Sequence, residues 1–263
     1  MRKQLSLLGG ILAALAAFAG PASATSVLYT ATGTGVGGAH LAASALFNFS
    51  GNTLTITLAN TATSDNTSSN QDVPANTLTG LFFALEGNPT LTPISASIAP
   101  GALIQASTCN PGPCGGTTTN VGGEFRYATS IVGPVKIQGI ASSGYIGGPS
   151  GNFGGVNLDN PDSPDGINFG IISNDPSFNP NGGVGGLNAE PLIRNQVVFV
   201  LNGVSGLGIK NLSSQVSFQY GTSLLDPHIN GHPHTPPVPE PASLLFLGSG
   251  LVGIVAWQRR KSR

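Results

Sequence analysis

The chain has 263 residues, of which only 8% are charged, and it holds 38 glycines and 20 prolines. Charged residues make up about 25% of an ordinary soluble domain, so this scarcity of Lys, Glu and Arg argues against helix bundles and suits short strands joined by many turns. Between Thr25 and Val238 only Arg126, Lys136, Arg194 and Lys210 face ten acidic residues, a net charge near −6, which excludes an electrostatic grip on nucleic acid.

Residues 1–24 read as a secretory signal peptide. Arg2 and Lys3 form the positive start and residues 5–18 an apolar run, too short for a permanent span. Ala22-Ser23-Ala24 then supplies a cleavage site for signal peptidase, with Ala22 and Ala24 as its small residues.

The body, residues 25–225, is read as an all-β ectodomain. Thr53-Leu54-Thr55-Ile56-Thr57-Leu58 sets three aliphatics against three threonines, the alternation of a half-buried strand, and Gln215-Val216-Ser217-Phe218-Gln219-Tyr220 does the same. Residues 45–49, 78–85, 125–131, 167–172 and 196–201 are further strands, separated by turns such as Ser50-Gly51-Asn52 and Glu86-Gly87-Asn88-Pro89. No window gives an amphipathic helix. Eight or more short strands with such turns predict a β-sandwich, jelly-roll-like, rather than a barrel. Hydrophobic residues at 40% are enough for its core. Residues 59–76 and 139–166, rich in Ser, Thr, Asn, Gly and Pro, read as surface loops.

Few residues carry chemistry. Cys109 and Cys114 bracket Asn-Pro-Gly-Pro; in an exported chain their expected state is a local disulfide, and two ligands are too few for a zinc site. Asp159, Asp162 and Asp165 recur every third residue before Gly166. That string reads as turns, with a Ca²⁺ loop as the alternative, although an EF-hand spaces its ligands every second residue and closes on a glutamate. Glu86, Glu124 and Glu190 would serve a glycosidase only if folding paired two of them. Nucleophile-elbow, metalloprotease, phosphate-loop and Rossmann patterns are missing from the body, so no catalytic residue is assigned and the protein is expected not to be an enzyme, with no cofactor unless calcium binds. Tyr127, Tyr145 and Phe153 are candidates for an aromatic sugar platform in an alternative, lectin-like reading. Residues 226–237 read as a Pro/His linker in which His228, His232 and His234 are incidental, because ordering a flexible segment around a metal costs entropy. His40 reads as a loop residue.

Residues 238–263 have three parts in order: Val238-Pro239-Glu240-Pro241-Ala242-Ser243, an apolar stretch over 242–257, and Arg259, Arg260, Lys261 and Arg263. As a helix the stretch is about 24 Å long against a hydrocarbon core of about 30 Å, so it predicts a short transmembrane sorting helix with the basic cluster held in the cytoplasm. This tail closely resembles the PEP-CTERM sorting signal of Gram-negative bacteria that make exopolysaccharide. The resemblance implies processing by exosortase near Pro239, Glu240 and Pro241, where two prolines keep the glutamate on an extended backbone. It also implies an inner-membrane intermediate, then the cell surface or extracellular matrix, with exopolysaccharide as the prospective partner. Gly51-Asn52-Thr53-Leu54-Thr55-Ile56-Thr57-Leu58, Leu78-Thr79-Gly80-Leu81-Phe82-Phe83, Asp165-Gly166-Ile167-Asn168-Phe169-Gly170 and Phe218-Gln219-Tyr220-Gly221-Thr222 make the body similar to the β-rich ectodomains of exosortase-dependent surface proteins, which implies no known catalytic activity.

Overall fold

Alternating apolar and hydroxyl side chains can bury one face of a sheet and leave the other wet, and three such strands open the fold. The computed structural model describes residues 25–63, 74–105, 120–132, 134–142, 156–158, 169–175, 192–223 and 225–234. Within these, β1 (Ser26–Thr34), β2 (His40–Ser50) and β3 (Thr53–Asn60) run as an antiparallel meander. In β3 Leu54, Ile56 and Leu58 are buried while Thr53, Thr55 and Thr57 lie half-exposed on the opposite face. The two-residue turn Gly51-Asn52 between β2 and β3 places Gly51 at φ 58°, a conformation glycine adopts without steric cost.

The second sheet is built around β4 (Leu78–Leu85), a run buried along almost its whole length. β5 (Thr92–Ile98) and β6 (Leu103–Gln105) follow, then β7 (Arg126–Val132), β8 (Val135–Ala141), β9 (Val156–Asn157), β10 (Ile171–Ile172) and β11 (Leu192–Arg194). The chain ends in β12 (Gln196–Asn202), β13 (Leu212–Tyr220), β14 (His228–Asn230) and β15 (His232–His234). One sheet has the order β15-β1-β2-β3-β12-β5; the other runs β6-β11-β10-β4-β8-β7-β9, with β13 on the far side of β4 and β14 beyond it. β10 and β11 pair in parallel; the other pairings among the described residues are antiparallel. Neither sheet closes on itself, and the described residues contain short 3-10 turns but no α-helix. The fold is all-β.

The two sheets share one core. Phe47 of β2 meets Phe83 of β4 edge-to-face at 5.3 Å, and Phe125, just before β7, meets Phe199 of β12 at 5.0 Å. Such pairs add about 0.5–1.5 kcal/mol to the burial of the rings themselves. The Tyr29 hydroxyl of β1 donates to the Ser213 carbonyl of β13 at 3.1 Å, a polar tie between the same two sheets.

The structure departs from the sequence reading most clearly at residues 226–237. Thr25–His234 forms one compact unit, and the segment read as a linker supplies β14, paired with β13, and β15, paired with β1. It crosses from one sheet to the other at Gly231, whose amide donates to the Val216 carbonyl at 2.8 Å. Its anchor is Ile229, 9% exposed, with a Cγ2 that occupies the space a Cβ on Gly33 would need. Pro233 is tolerated because β15 is an edge strand, where a missing amide proton breaks no ladder. The predicted strands also leave out β1, β5, β6, β8 and β11, and the end of β8 and the whole of β9 fall within the predicted loop 139–166. Among the described residues no helix is long and apolar enough to cross a membrane. The predicted signal peptide and the helix over 242–257 lie outside them.

Candidate functional site

The site residues assigned from sequence lie outside the described residues: Ala22 and Ala24, Cys109 and Cys114, Asp159, Asp162 and Asp165, and Pro239, Glu240 and Pro241. What the structure provides is the body that carries the tail. His234 closes β15, and four residues lie between it and Pro239, which makes five Cα–Cα steps. At about 3.5 Å per extended residue, at most about 17 Å of chain joins the motif to the sheet edge.

The registers define a continuous surface on the outer face of the β15-β1-β2-β3-β12-β5 sheet. One cross-strand row reads His234, Leu28, Leu46, Thr57, Val198 and Ser97. The rows beside it read Ser26, Asn48, Thr55, Val200 and Ser95, and His232, Thr30, Ser44, Ala59 and Gln196. Their strand neighbours Val27, Tyr29, Phe47, Ile56 and Phe199 point into the core. None of these three rows contains Asp, Glu, Lys or Arg, so the face offers hydroxyls, amides and a short aliphatic stripe to whatever meets it. Sequence alternation locates the threonines of β3, and the predicted strands 45–49 and 196–201 fall within β2 and β12, but the registers that set them beside β3 come only with the fold.

The histidines separate. His228 lies on β14 opposite Gln219, whereas His232 and His234 lie on β15 opposite Thr30 and Leu28, and all three are exposed. His40 opens β2 rather than sitting in a loop. No group of three or more His, Cys, Asp or Glu converges among the described residues.

Two of the glutamates are held apart. Arg126, Ala141 and Gly80 stand in one row across β7, β8 and β4, which places Glu124 beyond the Gly80 end of β4, while Glu86 follows the Leu85 end. Six strand residues at about 3.4 Å each separate those ends by about 20 Å, and a glycosidase pair needs at most about 9.5 Å. Glu190 lies outside the described residues. Glu86 instead accepts from the Asn211 side chain at 3.3 Å.

Tyr127 is not a platform residue. Its ring faces the core, 6% exposed, and its hydroxyl donates to Oε1 of the buried Gln138, whose Nε2 donates to the Pro89 carbonyl at 3.3 Å. Burial pushes the Tyr127 phenol up to about 12, with the backbone of Leu91 working in the opposite sense. Tyr145 and Phe153 lie outside the described residues.

A polar network fastens the end of β3 to β10 and β11. Asn60 Nδ2 donates to the Ile171 carbonyl at 3.0 Å, and the Ser173 hydroxyl donates to the Ala62 carbonyl. Arg194 Nη1 donates to the Ser173 and Asp175 carbonyls at 3.0 and 3.1 Å. These two bonds brace β11 against the segment after β10; burial lowers the guanidinium pKa, and the Asp175 charge opposes that shift. An open groove of about 570 Å³ beside β13 is lined by Phe82, Ile137, Val216, Asn230, His232 and Pro233.

Comparison with known proteins identifies the tail. Residues 237–261 match the family model of the PEP-CTERM protein-sorting motif. No curated protein and no solved structure matches the chain. The match spans 25 of the 263 residues. The chain carries a PEP-CTERM sorting motif, the mark of an exosortase-processed surface protein of Gram-negative bacteria.

Proposed function

We propose that the chain is an exported, non-enzymatic protein of the cell surface or extracellular matrix, sorted by exosortase and associated with the exopolysaccharide layer. In this reading signal peptidase cuts after Ala24, and the stretch 242–257 holds a membrane-bound intermediate with Arg259, Arg260, Lys261 and Arg263 in the cytoplasm. Exosortase then acts at Pro239-Glu240-Pro241. The body works as a jelly-roll-like sandwich, with a Cys109–Cys114 disulfide closing the Asn-Pro-Gly-Pro loop, and needs neither catalytic residue nor cofactor.

The sorting motif carries the proposal. The charge-free outer face supports its polysaccharide part, because a body with a net charge near −6 repels anionic polymer except where its charges are absent. On that face Ser, Thr, Asn and Gln supply donors and acceptors for sugar hydroxyls, and Leu28, Leu46, Val198 and Val200 supply apolar contact for sugar C–H faces. Contacts of this kind are nearly independent of ionic strength, because no charges are screened. Co-sedimentation of the body with the host's exopolysaccharide tests the idea. Binding that persists at about 1 M salt and weakens in a Leu46→Asp, Val198→Asp variant is expected. Loss of binding in salt, or full binding by that variant, would place the contact elsewhere.

A further inference from the structure

We propose that His232 and His234 form a two-imidazole site for a divalent transition metal ion. From sequence alone the three linker histidines are incidental, because a flexible segment must first be ordered before it can chelate. The structure removes that objection. Residues 232–234 are a β-strand paired in register with β1, so the ordering has already been done by folding.

The geometry follows from the strand. Residues i and i+2 of a strand share one face, about 6.7 Å apart along it. His232 opposite Thr30 and His234 opposite Leu28 are such a pair, both exposed, with Pro233 between them opposite Tyr29. Pro233 fixes its own φ and so narrows the conformations open to the pair. Two imidazoles that lean toward each other across this spacing bring their ring nitrogens to about 3 Å, the separation that two bonds of about 2.0–2.1 Å to one ion require. His228 is excluded because it lies on β14 in the other sheet. With no third His, Cys or carboxylate converging among the described residues, the remaining coordination positions belong to water. Neutral imidazole suits Cu²⁺, Ni²⁺ and Zn²⁺, and the order of affinities puts Cu²⁺ first. The pair also stands at the edge of the charge-free face, in the same rows as Leu28 and Thr30.

Copper(II) is the probe. The full-length chain, purified in detergent without a histidine tag, is titrated with Cu²⁺ and followed by calorimetry and by electron paramagnetic resonance. The site gives a Cu²⁺ equivalent whose spectrum shows nitrogen ligation. His232→Asn and His234→Asn each weaken it by at least the roughly tenfold that loss of an outer-sphere partner alone costs a metal site. His228→Asn leaves it unchanged. All three side chains are exposed, so the variants fold, and an unaltered melting curve verifies this. No nitrogen-ligated Cu²⁺, or the same binding in the His232→Asn, His234→Asn double variant, overturns the proposal.

Discussion

If residues 226–234 are part of the body, Ile229 should behave as a core residue. In a linker, replacing it with alanine would change stability by no more than about 0.5 kcal/mol. In the structure Ile229 is 9% exposed and joins the shared core, so Ile229→Ala should cost about 2–4 kcal/mol, the range for deleting a buried isoleucine down to Cβ. The neighbour sharpens the test. A Cβ on Gly33 would lie 2.5 Å from Ile229 Cγ2, so Gly33→Ala alone should cost about 1–3 kcal/mol by overpacking. Ile229→Ala removes the clashing methyl, and the new Cβ fills part of the cavity. The double variant should therefore lose less than the sum of the singles by more than about 0.5 kcal/mol. Urea unfolding of the 25–234 chain, followed by far-ultraviolet circular dichroism, measures all three. A negligible loss for Ile229→Ala, or strict additivity, would refute the strap.

Gly203 has φ 111°, and a Cβ there would sit 2.5 Å from the Thr90 carbonyl oxygen, which is backbone and cannot rotate away. Gly203→Ala should cost about 3 kcal/mol or more, against about 1–2 kcal/mol for Gly206→Ala, where φ is 75° but the space is open; equal urea midpoints would contradict this. Tyr127 is held protonated by burial up to about pH 12, whereas an unfolded tyrosine ionises near pH 10. The folded state thus keeps a proton that the unfolded state releases, and stability falls as pH rises from about 10 toward 12. Tyr29 and Tyr220 shift in the same direction. Tyr127→Phe should lose about 1–3 kcal/mol at pH 8 by orphaning Gln138 and should show a shallower alkaline slope in urea unfolding. An identical slope would contradict the assignment.

The sequence discloses a strand where burial is one-sided and the alternation clean. Residues 53–58 show this, and in 215–220 the alternation is legible although Gln219 is buried too; residues 78–85 are legible as a largely apolar run because β4 is a central strand. It conceals strands whose pattern is set by their partners. β5, Thr-Pro-Ile-Ser-Ala-Ser-Ile, buries only Ala96 fully and has a proline second, so it does not stand out as a strand until β12 supplies its ladder. β14 and β15 carry one apolar anchor, Ile229, among His, Asn, Gly and Pro. Composition favours a linker there, yet the cross-sheet contacts of Ile229 and Gly231 outweigh it.

The site is legible in two different degrees. The tail is read by an enzyme as a linear string, so Pro239, Glu240 and Pro241 stand out without any fold, and the family match falls on them. The charge-free face is assembled from six strands that only the registers bring side by side. Tyr127 illustrates the converse: with Tyr145 and Phe153 it suggests a sugar platform, but its buried partner, Gln138, is known only once β7 and β8 are paired.

The most direct test of the account is the intact mass of the protein recovered from its native host, with and without the host's exosortase. The account requires a chain that begins at Thr25 and ends near Pro239-Glu240-Pro241 in the normal strain, and loss of that product in the strain lacking the enzyme. A chain that keeps residues 242–263 in both strains would contradict it, and the tail would then be a plain membrane anchor.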